Sequence, residues 1–328
     1  MKHVLVIRLS ALGDVALMAP VVKAYAEANP DIRFTVAAPP MLEPLFDGSP
    51  NVCFLGLKKR QSFIKLYHAF EVVGADTVVD LHKVNRVGFA IILLCLRHLF
   101  DPRFRIFTLH KGRLSRWLFL HHWCHSPRKL QYERYDDVFR RAGLKTKSVK
   151  RCEKTVKGCE RTNVVVGVAP FSQHEGKVWP LERTEALVRM LSERGYEVLL
   201  FGSKEEATTL EGWASKYERV RSMAGKQSFS DEMEIIRNLA VMVSMDSSNM
   251  HFASAVGVPV VSIWGATHPD FGFYGYGQDR SNALCANLAC QPCSAYGQKA
   301  CRYGDYRCLK EITPEKVLSK VIEVLEKQ

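Results

Sequence analysis

The segment from residue 240 to residue 269, AVMVSMDSSNMHFASAVGVPVVSIWGATHP, restricts the possible folds more than any other part of the chain. Apolar runs at 240–245 and 258–264 flank the polar turn Asp-Ser-Ser-Asn at 246–249 and the small, apolar residues of 250–256. Two buried strands joined by a short helix form a parallel β-α-β unit. The polar turn then lies beyond the carboxyl end of a strand, where the free N–H groups of a helix favour a phosphate.

The same alternation of apolar strands and amphipathic helices occurs on both sides of a polar segment at 144–162. It predicts an α/β protein with two doubly wound parallel sheets, and 328 residues are enough for two cores. We place the first domain at residues 1–155 and the second at residues 156–312, with a linker or edge hairpin between them. A terminal amphipathic helix at 313–328 closes the chain.

The charge balance is basic, because 46 Lys and Arg residues stand against 34 Asp and Glu residues, a formal net charge of +12. This excess favours a polyanionic partner such as nucleic acid, an anionic membrane or a phosphorylated substrate. Residues 97–129 interleave basic and aromatic side chains, which is typical of nucleic-acid or membrane contact, but solvated charge over a core helix explains them equally well. Since no nucleic-acid-binding motif is recognisable, we expect no nucleic-acid partner.

The first apolar run does not have the pattern of a signal peptide, because Arg8 interrupts it early. The most apolar run, residues 89–96, is too short to span a bilayer. We therefore expect a cytoplasmic protein whose ten cysteines are mostly thiols.

The spacing of four late cysteines raises the question of a metal site. Cys290 and Cys293 form a C-x-x-C pair as in zinc sites, and Cys301 and Cys308 follow. Because the later two do not form a tight pair, free thiols in a rigid loop are the favoured interpretation and a zinc site is the alternative.

The first turn of the chain, Ser10-Ala11-Leu12-Gly13-Asp14, connects a predicted strand at 3–9 to a helix. A single glycine is not a dinucleotide fingerprint, which argues against a nicotinamide dehydrogenase. We expect no cofactor. From its position alone, Asp14 is more readily a helix cap than a catalytic base. Arg8 lies in an apolar strand and needs an anionic partner, which Asp14, Asp80 or a bound anion could supply.

Other turns at predicted strand ends carry polar groups of the kind that bind ligands. Asp80-Leu81-His82-Lys83 follows one strand and is either a solvated loop or a contact for an acidic acceptor. The loop at 170–180 contains a serine and a lysine that can hold phosphate oxygens, although a lone loop lysine is usually only solvated. Similar turns occur at 202–206 and 224–226.

Five segments together resemble glycosyltransferase family 9, the ADP-heptose:lipopolysaccharide heptosyltransferases. They are VLVIRLSALGDV at 4–15, VVDLHKVNR at 78–86, GKVWP at 176–180, MDSSNMHFASAVGVPVVSIWGATHP at 245–269, and CQPCSAYGQKACRYGDYRCLKEITPEKV at 290–317. Each segment is a weak signal by itself. Their occurrence in the family's order over nearly the whole chain makes the resemblance specific.

The resemblance implies a GT-B architecture, in which two Rossmann-like domains face a cleft and the terminal helix packs back on the first domain. It also implies an inverting, metal-independent transfer of a heptose or related sugar from a nucleotide-diphosphate donor, foremost ADP-heptose. The implied acceptor is an anionic lipid-linked saccharide of the lipopolysaccharide inner core, such as Kdo-lipid A, reached at the inner face of the inner membrane. A GT-B nucleotide-sugar epimerase or hydrolase, or a basic nucleic-acid-binding protein, is the alternative.

Residue roles also follow from the resemblance. Asp14 becomes the expected general base, which suits an acceptor hydroxyl that must lose its proton as it attacks. The expected donor-binding residues are Ser172, Lys177, Glu206, Gly225, Asp246, Ser247, Ser248 and His251. The expected acceptor-binding residues are Arg8, Ser10, Lys58, Arg60, Asp80 and His82. Ser248 replaces a very small residue of the family, so a turn requiring positive φ would be strained there.

Overall fold

The computed structural model describes residues 1–146 and 164–328. The predicted domain boundary at 155 and nearly all of the predicted linker lie outside the described residues. The chain divides into two compact units. Of the described residues, unit 1 contains 1–111 and 129–146, and unit 2 contains 112–128 and 164–328.

The described elements alternate as the sequence predicts. Residues up to 146 form β1 (His3–Ile7), α1 (Leu12–Ala28), β2 (Arg33–Ala38), β3 (Val52–Gly56), α2 (Phe63–Val73), β4 (Thr77–Asp80), α3 (Asn85–Arg97), β5 (Arg105–Thr108), α4 (Arg113–Leu120) and α5 (Gln131–Arg141). Residues from 164 onward form β6 (Val165–Ala169), α6 (Leu181–Glu193), β7 (Glu197–Leu200), α7 (Ala207–Ala214), β8 (Val220–Ser222), α8 (Phe229–Arg237), β9 (Val241–Met245), α9 (Ser248–Ala255), β10 (Val260–Trp264), β11 (Ala283–Cys285), α10 (Arg307–Lys310) and α11 (Pro314–Glu326).

Side-chain caps begin several of the described helices. Ser228 accepts a hydrogen bond from the Asp231 N–H at the start of α8, and Thr313 accepts one from the Lys316 N–H at the start of α11. Each satisfies an N–H group that has no partner within its helix. Between β2 and β3 the chain forms a 3₁₀ segment, Pro40–Phe46, with Pro44 inside it.

Unit 1 contains a parallel sheet with strand order β3-β2-β1-β4-β5 among the described residues. The central strand β1 is fully buried from Val4 to Ile7, and it pairs in register with β2 and β4. Leu5 and Ile7 pack in one cluster with Phe70 of α2 and Leu94 of α3. Because each strand is followed by a helix, the turns after β1, β3 and β4 all lie at the carboxyl edge of the sheet.

Unit 2 contains a second parallel sheet, with strand order β11-β10-β9-β6-β7-β8. Its core includes Trp179, which is fully buried and donates a hydrogen bond from Nε1 to the Ile312 carbonyl at 3.0 Å. The apolar stripe of α11 joins this core and packs against α6, β9 and β10. Val317, Val321 and Val324 complete the core of the second sheet.

Residues 112–128 correct the first predicted domain, because they belong to unit 2 although unit 1 continues after them. Phe119 packs on Phe271 with ring centroids 5.8 Å apart, and the Arg128 N–H donates to the Asp270 carbonyl at 2.9 Å. The Arg116 guanidinium lies 5.6 Å from the centre of the Phe273 ring. Part of the basic, aromatic stretch is thus internal packing of unit 2.

Among the residues described, none of the helices combines the length and apolar content that crossing a membrane requires.

Candidate active site

Arg8 and Asp14 form an ion pair at the carboxyl end of β1. Arg8 follows the last residue of β1, and its guanidinium donates one hydrogen bond to Asp14 Oδ2 and another to the Leu81 carbonyl. Asp14 is the third residue of α1, and its Oδ2 also accepts the Ala11 N–H at 3.4 Å. Asp14 is therefore the anionic partner of Arg8, and it contacts the N-cap N–H from the third position of the helix without being the N-cap itself.

The two members of this pair differ in accessibility. Burial alone would lower the pKa of Arg8, but Asp14, Tyr135 and Asp80 outweigh it and raise that pKa, so the guanidinium stays charged. The Asp14 side chain remains 18% exposed. Its described partners all contact Oδ2, and no described residue donates a hydrogen bond to Oδ1. One carboxylate oxygen is thus available to a ligand.

The turn after β4 completes this edge of sheet 1. Asp80 is buried, and its Oδ1 accepts the N–H groups of His82 and Lys83, each at 2.8 Å. Burial raises the pKa of Asp80, and those two N–H groups oppose the rise. Burial, assisted by Arg8 and Lys111, lowers the pKa of His82 to about 4, so its imidazole is neutral at pH 7. Asp80 thus shapes the turn, and His82 supplies a neutral ring.

The predicted acceptor-binding residues do not all meet. Arg8, Asp80 and His82 interact at one edge, and the His82 ring has a hydrogen bond with the Ser10 backbone. Lys58 and Arg60 are exposed in the segment between β3 and α2, and no hydrogen bond or ion pair within the described chain connects them to that group.

In unit 2, Lys177 and Asp246 form the corresponding ion pair. Lys177 Nζ lies 2.9 Å from Asp246 Oδ2 and 3.1 Å from the Asp246 carbonyl oxygen. Ser172 Oγ donates to that same carbonyl at 3.3 Å. Asp246 follows β9, and the loop carrying Ser172 and Lys177 follows the adjacent strand β6. Three predicted donor-binding residues are therefore in direct contact.

The turn after Asp246 enters α9 without strain. Ser247 is the N-cap, with φ of −142°, and its Oγ lies 3.2 Å from Ser244 Oγ. Ser248 is the first residue of α9 and does not have positive φ. The concern that a serine would be strained at this position is therefore wrong. His251, in the first turn of α9, is buried.

Glu206 and Gly225 lie further along the same edge, after β7 and β8. Glu206 Oε2 accepts the Ser203 N–H at 2.6 Å. Gly225 has φ of +66°, and a Cβ there would come within 3.0 Å of the Lys204 Cα. The position therefore requires glycine for both conformation and space. Among the described contacts, neither residue touches the Lys177–Asp246 pair.

Sequence analysis missed Thr267 as part of this site. Its hydroxyl donates to Asp246 Oδ2 at 2.8 Å and it is buried. Its position directly after β10 was the available signal, because that turn shares the carboxyl edge. The role of Gly297 was also missed: it has φ of +76°, and a Cβ there would come within 2.7 Å of Lys177 Cγ.

The late cysteines lie in a segment that supports this edge. The Cys293 N–H donates to the Ala266 carbonyl at 2.8 Å, next to Thr267. Burial raises the pKa of Cys293 to about 11 and that of Cys308 to about 12, so both thiols are protonated at neutral pH. Within the described chain, no three His, Cys, Asp or Glu side chains have an arrangement that could hold a metal ion. The zinc alternative thus has no support from the geometry.

The sequence profile of glycosyltransferase family 9 (heptosyltransferase) matches residues 116–304. The lipooligosaccharide heptosyltransferase 2 of Haemophilus influenzae is 31% identical over 170 residues, which are 50% of this chain and 48% of that protein. The chain therefore spans about half the length of this curated relative.

Two solved structures share the fold over nearly their whole length. The glycosyl transferase family 9 protein of Veillonella parvula has a TM-score of 0.74 at 19% identity, covering 100% of this chain and 98% of that one. The Escherichia coli heptosyltransferase WaaC with ADP has a TM-score of 0.70 at 17% identity, covering 98% and 100%. The two parallel-sheet units are those of the GT-B fold. With the profile matching more than half of its residues, the chain belongs to glycosyltransferase family 9.

Proposed function

We propose that the protein is an inverting glycosyltransferase that moves a heptose from ADP-heptose to a lipopolysaccharide inner-core acceptor. The observation that carries the proposal is the partly exposed Asp14 carboxylate, which Arg8 holds at the carboxyl edge of sheet 1. A carboxylate oriented in this way, with one oxygen open, can take a proton from an attacking hydroxyl. Family membership and the ADP in the related WaaC structure support this choice of donor.

In the proposed reaction, the acceptor hydroxyl attacks the anomeric carbon of the heptose and passes its proton to Asp14 Oδ1. The new C–O bond forms as the bond to the diphosphate breaks, and ADP leaves with that electron pair. Attack from the face opposite the leaving group inverts the configuration. The Arg8 guanidinium keeps Asp14 oriented, which matters because proton transfer depends on geometry first.

On the donor side, the reaction requires stabilisation of the negative charge that develops on the diphosphate. Lys177 supplies a positive charge, and the N-terminus of α9 supplies free N–H groups and the positive end of a helix dipole. Ser172 adds a hydroxyl beside them. These groups can neutralise the leaving group, and we infer that the transfer needs no metal ion. Glu206 is our candidate for the ribose hydroxyls, with Gly225 next to its loop.

We also propose that transfer takes place at the inner face of the inner membrane. An inner-core acceptor is an anionic saccharide on a lipid, and the net charge of +12 favours such a partner. His82, Arg8 and the exposed Lys58 and Arg60 are the candidate contacts for this acceptor. The name of the Haemophilus influenzae relative, a lipooligosaccharide heptosyltransferase, is in line with an acceptor of this class.

The substitution Asp14→Asn tests the catalytic role. It keeps the size of the side chain but removes the proton acceptor, so heptose transfer from ADP-heptose should fall about 10²–10⁴-fold. ADP binding, measured by calorimetry, should stay unchanged because the donor contacts lie in unit 2. The matched control is Asp47→Asn, an exposed aspartate of unit 1, which should transfer at the wild-type rate. A folded Asp14→Asn protein with wild-type turnover would remove Asp14 as the base.

Product analysis with and without acceptor separates transfer from the alternative of epimerisation or hydrolysis. A transferase consumes ADP-heptose at a substantial rate only when acceptor is present. Equal release of ADP in the absence of acceptor would instead identify a hydrolase, and a changed sugar that remains linked to nucleotide would identify an epimerase. Addition of a chelator should leave the rate unchanged, whereas loss of activity would contradict metal independence.

A further inference from the structure

We propose that the outer face of α2 and α3 in unit 1 docks on an anionic lipid bilayer. This surface, called here the apolar face of α2–α3, consists of Phe63, Ile64, Phe89, Ile92 and Leu96. The proposed function explains why membrane docking would be useful, and the inference rests on it in that respect only. The surface itself is defined by the exposure and charge of its residues.

The helix α3 is apolar on both of its sides. Its inner side buries Val87, Ala90, Ile91 and Leu94 in the core of unit 1. On its outer side, Phe89, Ile92 and Leu96 are 53–63% exposed. These three residues are separated by three and four positions, so they form one stripe along the helix. A surface helix normally presents polar residues on that side, and contiguous exposed apolar surface marks an interaction site.

The helix α2 extends the stripe to a wider surface. The ring centroids of Phe63, in the first turn of α2, and Phe89 lie 5.9 Å apart. Both rings are exposed, as is Ile64 next to Phe63. The two helices therefore present one continuous apolar area instead of scattered single side chains, which would need no explanation.

The charges around this area select its partner. Residues 58–73 and 84–100 contain six Lys or Arg residues but a single acidic residue, Glu71. That glutamate is already paired with Arg97 and hydrogen-bonded to Tyr67. Two copies of such a face would repel each other, whereas anionic lipid headgroups would attract it. Aromatic and aliphatic side chains bordered by Lys and Arg are typical of helices that lie on a membrane surface.

The position of the apolar face agrees with the proposed reaction. The helices α2 and α3 follow β3 and β4, so Phe63 and Phe89 lie near the carboxyl edge of sheet 1 that carries Arg8 and Asp14. A saccharide whose lipid remains in the bilayer would thus be presented to the edge that holds the proposed base.

Flotation with vesicles tests the proposal on the full chain without substrates. The protein should bind vesicles that contain phosphatidylglycerol, and binding should fall in high salt and with pure phosphatidylcholine. The triple substitution Phe89→Gln, Ile92→Gln, Leu96→Gln should weaken vesicle binding at least about tenfold. The matched control is Met41→Gln, since Met41 is 51% exposed elsewhere in unit 1 and should leave binding unchanged.

The melting temperature and the transfer rate on a soluble, delipidated acceptor show whether the triple variant is otherwise intact, and both should equal the wild-type values. Wild-type protein that does not bind anionic vesicles, or a triple variant that binds them normally, would overturn the proposal. A wild-type dimer that the triple variant dissociates would assign the face to a second copy instead. Vesicle binding without any sugar transfer would refute the proposed function and leave the docking surface in place.

Discussion

The carboxyl edges of the two sheets carry the same kind of ion pair with the burial reversed. In unit 1 the cation is the more buried partner, since the side chain of Arg8 is 10% exposed and that of Asp14 is 18% exposed. In unit 2 the anion is the more buried partner, since Asp246 is 9% exposed and Lys177 is 14% exposed. In each pair the deeper group has additional fixed partners: Leu81 for Arg8 and Thr267 for Asp246.

This reversal indicates which charge each edge offers to a ligand. A deeply held arginine orients a carboxylate, so the edge of sheet 1 presents a proton acceptor. A deeply held carboxylate orients a lysine, so the edge of sheet 2 presents a positive charge suited to a phosphate. In both units, the more buried group of an ion pair orients the less buried one. The less buried group is a carboxylate suited to the proposed deprotonation in unit 1 and a lysine suited to the proposed leaving-group stabilisation in unit 2.

Lys177→Met should give the largest effect, because it would remove the cation and leave a buried carboxylate behind. Removing one partner of a buried pair costs about 3–5 kcal/mol, so we expect a loss of unfolding free energy of that order. ADP affinity, measured by calorimetry, should fall at least about tenfold with the loss of a charge-assisted contact. The control Lys226→Met removes an exposed lysine paired with Glu211 and should cost less than about 1 kcal/mol.

Adding Asp246→Asn to Lys177→Met separates the two roles of the lysine. The double variant no longer buries an unpaired charge, so it should regain part of the lost unfolding free energy. It should not regain ADP affinity, because the cation is still missing. If Lys177→Met alone bound ADP as tightly as the wild type, the lysine would be a purely structural partner and the comparison between the two edges would fail.

Much of the fold could be predicted because it depends on local patterns. The strand–turn–helix order of both units follows the apolar periodicity. The β-α-β unit at 240–269 appears as β9, α9 and β10. Polar residues at strand ends were correctly expected to gather at the sheet edges, since parallel strands point the same way.

The remaining errors concern contacts between residues far apart in the sequence. Residues 112–128 are embedded in unit 2 because Phe119 packs on Phe271, a partner that no local pattern can identify. Thr267 was overlooked because a hydroxyl after a strand is common, and only its 2.8 Å contact with Asp246 makes it part of the site.

His82 provides the next largest effect, and it probes the edge of sheet 1 through pH. Its pKa is lowered from 6.5 to about 4 by burial and by Arg8 and Lys111, while Asp14 acts in the opposite direction. The unfolded chain therefore binds more protons than the folded one between these values, and stability must fall as the pH drops through that window. From about pH 7 to about pH 4.5, His82 should account for a loss of about 2–3 kcal/mol.

Urea unfolding of the wild type and of His82→Gln at both pH values measures the contribution of His82 to this loss of unfolding free energy. The difference between the two proteins isolates that contribution, because other groups titrate equally in both. The loss on acidification should be smaller in the variant. His110→Gln replaces an exposed histidine of the same unit and serves as the matched control, with the wild-type pH dependence as the expected result. Identical pH dependence in wild type and His82→Gln would mean that His82 is not held neutral beside Arg8.

Thr267→Val should give the smallest effect and tests how the buried anion of unit 2 is held. The substitution keeps the shape of the side chain but removes the hydroxyl that donates to Asp246 Oδ2. Because Lys177 still neutralises the carboxylate, we expect a loss of unfolding free energy of about 1–2 kcal/mol. Thr267→Ser retains the donor and should recover most of that loss.

ADP affinity should weaken with Thr267→Val only if Asp246 must be fixed for Lys177 to be presented correctly. A variant with wild-type stability and wild-type ADP affinity would show that the deeper partner of this pair needs no second anchor, and the parallel with Arg8 and Leu81 would then break down.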